Sequence, residues 1–118
     1  MNATVSEFGI IDHGGGRYQL TGEVTFATAE RILRDSSQMF ARQQGIEIDL
    51  SDVVKTDSAG LALLLEWLRI ANDSGAAIRF QNIPEKVRAI AQTAEVEALL
   101  ERDQSSSSST SISSSSKK

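Results

Sequence analysis

The sequence predicts an α/β sandwich, a mixed and mostly parallel β-sheet with an N-terminal hairpin and helices packed on it. Three observations predict it. The pentads Ile46-Glu47-Ile48-Asp49-Leu50 and Ala77-Ile78-Arg79-Phe80-Gln81 alternate at strand period. Segments of helical period stand before, between and after them. A glycine run, Gly14-Gly15-Gly16, joins two further alternating segments near the start. The order is β-β-α-β-α-β-α, and strands alternating with helices imply βαβ crossovers and parallel pairing.

The first strand is expected over Val5 to Ile11, with Val5, Phe8 and Ile10 as its apolar positions. Asp12-His13-Gly14-Gly15-Gly16 reads as a turn, because Gly takes positive φ without steric cost. Arg17 to Thr21 puts Tyr18 and Leu20 on one face as the second strand of a hairpin, and Gly22-Glu23 breaks it. Thr25 or Thr28 is placed to cap the next helix. Ala29, Ile32, Leu33, Ser36 and Phe40 recur at helical spacing, giving a helix from Thr28 to about Gln43, with Gly45 as its stop. Ile46 to Leu50 is the third strand. A polar loop from Asp49 then leads to a helix from about Ser58 to Asp73, closed by Gly75. Ala77 to Gln81 is the fourth strand. Pro84 opens the last helix, whose apolar face is Val87, Ile90, Ala91 and Ala94. Val96 to Leu100 forms a short final apolar element.

The central helix carries two apolar stripes at about 100° per residue. Leu61, Leu64, Leu65 and Leu68 form one; Leu63, Trp67 and Ile70 form the other, with Glu66, Arg69 and Asp73 as a polar strip between. One stripe suffices to dock on a sheet. The second must meet a neighbouring helix or another protein, and Trp67 favours a contact surface because Trp is enriched at interface hot spots.

Composition narrows the function. The 118 residues fit one domain, expected over residues 1–104, with a Ser-rich disordered tail or linker over residues 105–118. Net charge is −4, and −6 without Lys117 and Lys118. That argues against a nucleic-acid partner, which needs clustered Lys and Arg. No basic amphipathic helix and no apolar run of roughly 20 residues appear, so neither surface binding nor membrane insertion is expected. Cysteine is absent, which excludes disulfides and thiolate chemistry. The N-terminus has no signal-peptide pattern, and a cytoplasmic protein is the default.

The chemistry-bearing residues are few. Asp57-Ser58-Ala59-Gly60 sets a hydroxyl at a helix start beside free backbone N–H groups. Ser58 reads as a partner contact, a phosphosite or a plain cap. A phosphate there would gain from the helix dipole and lose to the adjacent Asp57. Asp49, Asp52 and Asp57 read as solvated loop carboxylates rather than a Mg²⁺ or phospho-acceptor cluster. His13 reads as an exposed turn residue. The glycine run lacks the Lys-Ser/Thr of a P-loop. No nucleophile, base and oxyanion site assemble, so no catalytic residue, metal ligand or cofactor is assigned.

On these residues the chain resembles the STAS domain family of anti-sigma-factor antagonists and sulphate-transporter tails. Leu20-Thr21-Gly22-Glu23 resembles the signature at the end of its second strand. Asp49-Leu50-Ser51-Asp52-Val53 resembles its central strand and loop, and Asp57-Ser58-Ala59-Gly60-Leu61 its Asp-Ser/Thr-x-Gly-Leu helix start. In the SpoIIAA-type branch the residue matching Ser58 is phosphorylated by a partner kinase. In the MlaB-type branch it lies at the contact with the ATPase of a phospholipid ABC transporter. Gly60-Leu61-Ala62-Leu63-Leu64-Leu65 and Gly22-Glu23-Val24-Thr25-Phe26 are closer to the MlaB type, since antagonists usually continue Gly-Glu-Leu-Asp. The resemblance therefore implies a non-catalytic subunit that binds an MlaF-type ATPase, within a complex of permease and substrate-binding subunits that maintains outer-membrane lipid asymmetry. The alternative it implies is an antagonist of an anti-sigma kinase. The expected partner-binding residues are Thr56, Asp57, Ser58, Ala59, Gly60, Leu63 and Trp67.

Overall fold

The computed structural model describes residues 7–41 and 43–100. Val5 and the Ser-rich segment lie outside the described residues. The element order is the expected one. β1 (Phe8–Gly14) and β2 (Arg17–Val24) form a hairpin; α1 (Ala29–Phe40), β3 (Gly45–Thr56), α2 (Ser58–Ser74), β4 (Ala77–Gln81) and α3 (Glu85–Thr93) follow. The sheet order is β1-β2-β3-β4, with β1–β2 antiparallel and the other pairs parallel.

Alternation divides the two faces of the sheet. Tyr18, Leu20, Val24, Ile46, Ile48, Leu50, Ile78 and Phe80 are buried beneath the helices. Gln19, Thr21, Glu47, Asp49 and Arg79, one residue out of phase, are half-buried on the opposite face. That face is held by polar pairs: Arg79 donates to Glu47 at 2.8 Å, and Gln19 to Asp52 at 2.6 Å.

Aromatic rings carry the core from α1 to the sheet. Tyr18 meets Phe40 at 4.9 Å between centroids, Phe40 meets Trp67 at 5.6 Å, and Trp67 stacks on Phe80 at 6.3 Å. The indole N–H of Trp67 is buried and needs an acceptor. Ser36 Oγ supplies it at 2.9 Å and itself donates to the Leu33 carbonyl at 3.0 Å. The position read from periodicity as part of an apolar stripe thus holds a hydroxyl for a specific reason.

Four boundaries differ from expectation. β1 runs through His13 to Gly14, leaving only Gly15-Gly16 for the turn. β2 does not break at Gly22-Glu23; Gly22 takes φ 90°, where a Cβ would meet the Glu7 carbonyl oxygen at 2.3 Å, and the strand continues to Val24. α1 ends at Phe40, and Gly45 begins β3 rather than closing the helix. The expected polar loop after Asp49 is strand: β3 continues to Thr56, paired with β2 across two register shifts. Those shifts admit the run Ser51-Asp52-Val53-Val54-Lys55, whose polarity looks like a loop, because each irregularity re-aims the side chains that follow it.

Gly75 closes α2 as expected, in the left-handed conformation with φ 78° and its N–H on the carbonyls of Ala71 and Asn72. The polar strip of α2 is also as expected, with Arg69 bound to Glu66 and, at 3.0 Å, to Asp73. After α3, residues 97–100 form a short helical stretch that buries Leu100.

Candidate functional site

β2 and β3 run parallel and end together at Val24 and Thr56, which are partners in register. Ligand and partner sites in such sheets favour the carboxyl ends of strands. Here the chain leaves β3 and enters α2 within one residue. Thr56 Oγ1 donates to the Val24 carbonyl at 2.9 Å and ties the two strand ends. Asp57, in extended conformation, is the N-cap: its Oδ1 accepts from Ala59 N at 2.8 Å, and its Oδ2 from Phe26 N at 3.2 Å. One carboxylate therefore satisfies an orphan donor of α2 and a donor of the β2–α1 loop.

The capping function falls to Asp57, not to Ser58. Ser58 is the first helical residue and is exposed, with Ala59 half-buried behind it. Its hydroxyl stands at the positive end of a 17-residue helix, beside a carboxylate already engaged by two N–H groups. Gly60 is buried for a packing reason: a Cβ there would lie 2.3 Å from Thr56 Oγ1 and 3.2 Å from Val87 Cγ2. The absent side chain lets α2 settle on the strand ends and against α3.

The structure brings Thr56, Asp57, Ser58, Ala59 and Gly60 together at one corner and withdraws the other two expected contact residues. Leu63 and Trp67 are each 3% exposed. Trp67 is enclosed by Phe40, Phe80 and Ser36, so the second stripe of α2 is covered within the chain at Leu63 and Trp67, while its half-buried Ile70 lines a cleft of about 250 Å³ with Ser37, Ala41 and Ser74. The first stripe begins in the core with Leu61 and Leu64; its half-buried members Leu65 and Leu68 line a cleft of about 360 Å³ with Asn72, Ala76 and Leu99.

The carboxylates expected in a loop stand on β3 or at its end and have separate partners. Asp49 accepts from Asn82 Nδ2 and Ser51 N, each at 2.9 Å, and the Asn82 bond first of all holds its carboxyl below the usual range. Asp52 accepts from Gln19, and Asp57 caps α2. Among the described residues no group of three or more His, Asp or Glu is arranged to hold a metal. His13 is exposed on β1, with Nε2 3.1 Å from Gln19 Oε1.

Two surface residues escaped the sequence reading. Phe26 is 87% exposed in the loop that Asp57 holds, and Val54 is 79% exposed on the irregular end of β3. A local signal for Phe26 exists in Thr25-Phe26-Ala27-Thr28. Thr28 Oγ1 accepts from Thr25 N at 3.0 Å and donates to the Glu23 carbonyl at 2.8 Å, and Thr25 Oγ1 accepts from Ala27 N at 3.3 Å. Both threonines turn inward, which leaves the intervening Phe pointing out. Sequence position offers either as a helix cap; Thr28 takes the N-cap position without a side-chain cap bond.

A four-stranded mixed sheet with helices over one face, presenting a helix start at the end of two parallel strands, defines an α/β domain with a surface corner. Its family follows from comparison: a family model described as "Mlab, STAS domain" matches residues 13–101, and the chain belongs to the STAS domain family. STAS domains are generally binding or regulatory domains. No curated protein matches the chain.

Solved structures agree on the fold. The Bacillus cell fate determinant SpoIIAA in its phosphorylated form is similar with a TM-score of 0.59 at 14% identity, covering 90% of this chain and 89% of that one. An anti-sigma factor antagonist from Mycobacterium paratuberculosis gives 0.58 at 18%, covering 84% and 91%. A sulfate transporter family protein from Wolinella succinogenes gives 0.58 at 15%, covering 78% and 75%. At such identities the likeness speaks for the fold alone. No helix among the described residues is long and apolar enough to cross a membrane.

Proposed function

We propose that this chain is a non-catalytic subunit of a phospholipid-transporting ABC complex that serves outer-membrane lipid asymmetry. It docks on the ATPase subunit through the corner Thr56 to Gly60. The observation that carries the reading is the exposed Ser58 at the first turn of α2, over an Asp57 cap whose oxygens are already occupied. Thr56 and Asp57 are fixed by their hydrogen bonds and Ser58 is open, so a partner surface can approach the helix end. The description of the matching family model supports the choice of complex. The effect on ATP hydrolysis is indirect. A subunit that binds one arrangement of the ATPase more tightly than others shifts the population toward it.

Ser58→Glu tests the reading. In a closed contact the new carboxylate is buried beside Asp57 without a counter-charge, which is strongly unfavourable. Co-purification of the ATPase should fall with Ser58→Glu and persist with Ser58→Ala. Wild-type recovery with the glutamate variant refutes the contact.

A second reading, an anti-sigma-factor antagonist switched by phosphorylation of Ser58 by an anti-sigma kinase, is favoured by the same exposed hydroxyl. It requires a phosphoform in the native host. Intact-mass measurement showing only the unmodified chain, under conditions where the kinase is active, removes it.

A further inference from the structure

We infer that the cleft between the C-terminal ends of α1 and α2 is a small-molecule site, taking a compact apolar body that carries a hydroxyl or amine head. It is independent of the proposed docking at Ser58. Ser58 opens α2 and Ser74 ends it, about 24 Å apart at roughly 1.5 Å per residue.

Three observations carry the inference. The first is volume. The cleft holds about 250 Å³ and reaches from the exposed Ser37, Ala41 and Ser74 down to the buried Ile46, Trp67 and Ile78. A cavity of roughly 150 Å³ suffices for benzene, so this one admits a chain of about eight carbons or a bicyclic ring. Its size has a local cause. Ala41, Ala71 and Ala76 stand on its wall, where larger side chains would fill it. Trp67 is kept from swinging into the space, because its indole N–H is held by Ser36.

The second is the lining. Among the described residues that form the cleft none is charged, and the two serines carry its polar groups with the Trp67 N–H already bonded. Apolar walls with a few placed polar groups are the usual make-up of small-ligand sites. Water is a poor occupant of such walls, since it needs two or more polar partners.

The third is the polarity of the mouth, which selects the head group. Ser37 Oγ donates to the Leu33 carbonyl at 2.8 Å, and Ser74 Oγ to the Ile70 and Ala71 carbonyls at 3.1 and 3.2 Å. A hydroxyl has one proton, so each serine offers a ligand only an acceptor. Both helices also end at this mouth, and neither has a basic residue in its last turn to offset the negative end of its dipole. The head that fits is therefore a donor. A carboxylate meets like polarity and no counter-charge.

The test uses the full chain with 1-octanol as probe, octylamine and octanoate as comparators, and the fluorescence of Trp67, the only tryptophan, as reporter. Octanol and octylamine should give a saturable change and raise Tm, since a ligand of the folded state stabilises it. Octanoate should bind about tenfold or more weakly. Ala41→Phe, at an exposed position, should close the mouth and abolish the response, while Ala89→Phe on the exposed side of α3 leaves it intact. Ser37→Ala combined with Ser74→Ala should weaken octanol about threefold or more. Thermal melts establish that the variants fold; if Ala41→Phe does not, Ser37→Phe takes its place. No saturable change with octanol, a change accompanied by a fall in Tm, or wild-type binding by the folded mouth variant overturns the site. Octanoate binding as tightly as octanol overturns the donor head. Sedimentation decides the other occupant: a wild-type dimer that the mouth variant converts to monomer assigns the cleft to a second copy and overturns the inference.

Discussion

Gly60→Ala sets two measurable effects against each other at the base of the candidate site. Inside a helix, Ala is favoured over Gly by roughly 1 kcal/mol. Against this, the new Cβ lies 2.3 Å from Thr56 Oγ1 and 3.2 Å from Val87 Cγ2. Relief requires a shift on the order of 1 Å, since ordinary carbon contacts begin near 3.4 Å. Thr56 cannot yield freely. Its β-branched side chain is stiff at χ1, and rotation gives up the 2.9 Å bond to Val24. Overpacking of this kind costs about 1–3 kcal/mol, with a lost hydrogen bond adding about 1. Net destabilisation of about 1–3 kcal/mol is expected, a fall in Tm of about 4–8 °C per kcal/mol for a domain of this size. The assay is a double-mutant cycle by urea unfolding with Thr56→Ala, which removes the obstructing oxygen. Gly60→Ala should cost less in the Thr56→Ala background than alone. A stabilised single mutant, or additive costs, refutes the close-approach argument.

Further outcomes follow from other contacts. Ser36→Ala leaves the buried Trp67 N–H without its acceptor and should destabilise by about 1–3 kcal/mol in thermal melts, more than Ser37→Ala on the exposed side of α1. Asp57→Ala removes a cap and a loop tether and should cost about 1–2 kcal/mol; Asp57→Asn, which retains one carbonyl oxygen, should fall between, as unfolding curves will show. The Asp49 carboxyl titrates below its ordinary value because Asn82 donates to it. A depressed folded pKa contributes stability that is complete above the unfolded value of about 3.9 and is lost as pH falls through the lower folded one. Asn82→Ala should bring the Asp49 titration back toward the ordinary value in carboxyl-carbon NMR and weaken that acid dependence, with the Ser51 bond still lowering it.

The alternation of Ile46 to Leu50 and Ala77 to Gln81 made the buried strands legible, because period-two patterning is imposed by a sheet with one covered face. Gly75 and the Asp57-Ser58 junction marked the ends of α2 for the same local reasons that fix them in the structure. Legibility failed where tertiary pairing overrules composition. Ser51-Asp52-Val53-Val54-Lys55 reads as loop, yet β2 lends it hydrogen-bond partners across the register shifts. Gly22 reads as a breaker, yet it takes positive φ inside a continuous strand.

Trp67 shows why the site was half visible. Periodicity placed it on a second apolar stripe but gave no means of telling whether the chain itself covers that stripe. Phe40 and Ser36, 27 and 31 positions earlier, decide the matter by supplying a ring and an acceptor. With Trp67 and Leu63 turned inward, the long faces of α2 are largely committed within the molecule, and its open N-terminal end is what the corner presents. Composition also hides Phe26, since an isolated aromatic between threonines has no period. Its exposure follows only once Thr25, Thr28 and Asp57 are seen to spend their hydrogen bonds on the backbone around it. The polar residues of the corner serve its geometry, and Ser58 and Phe26 are left exposed.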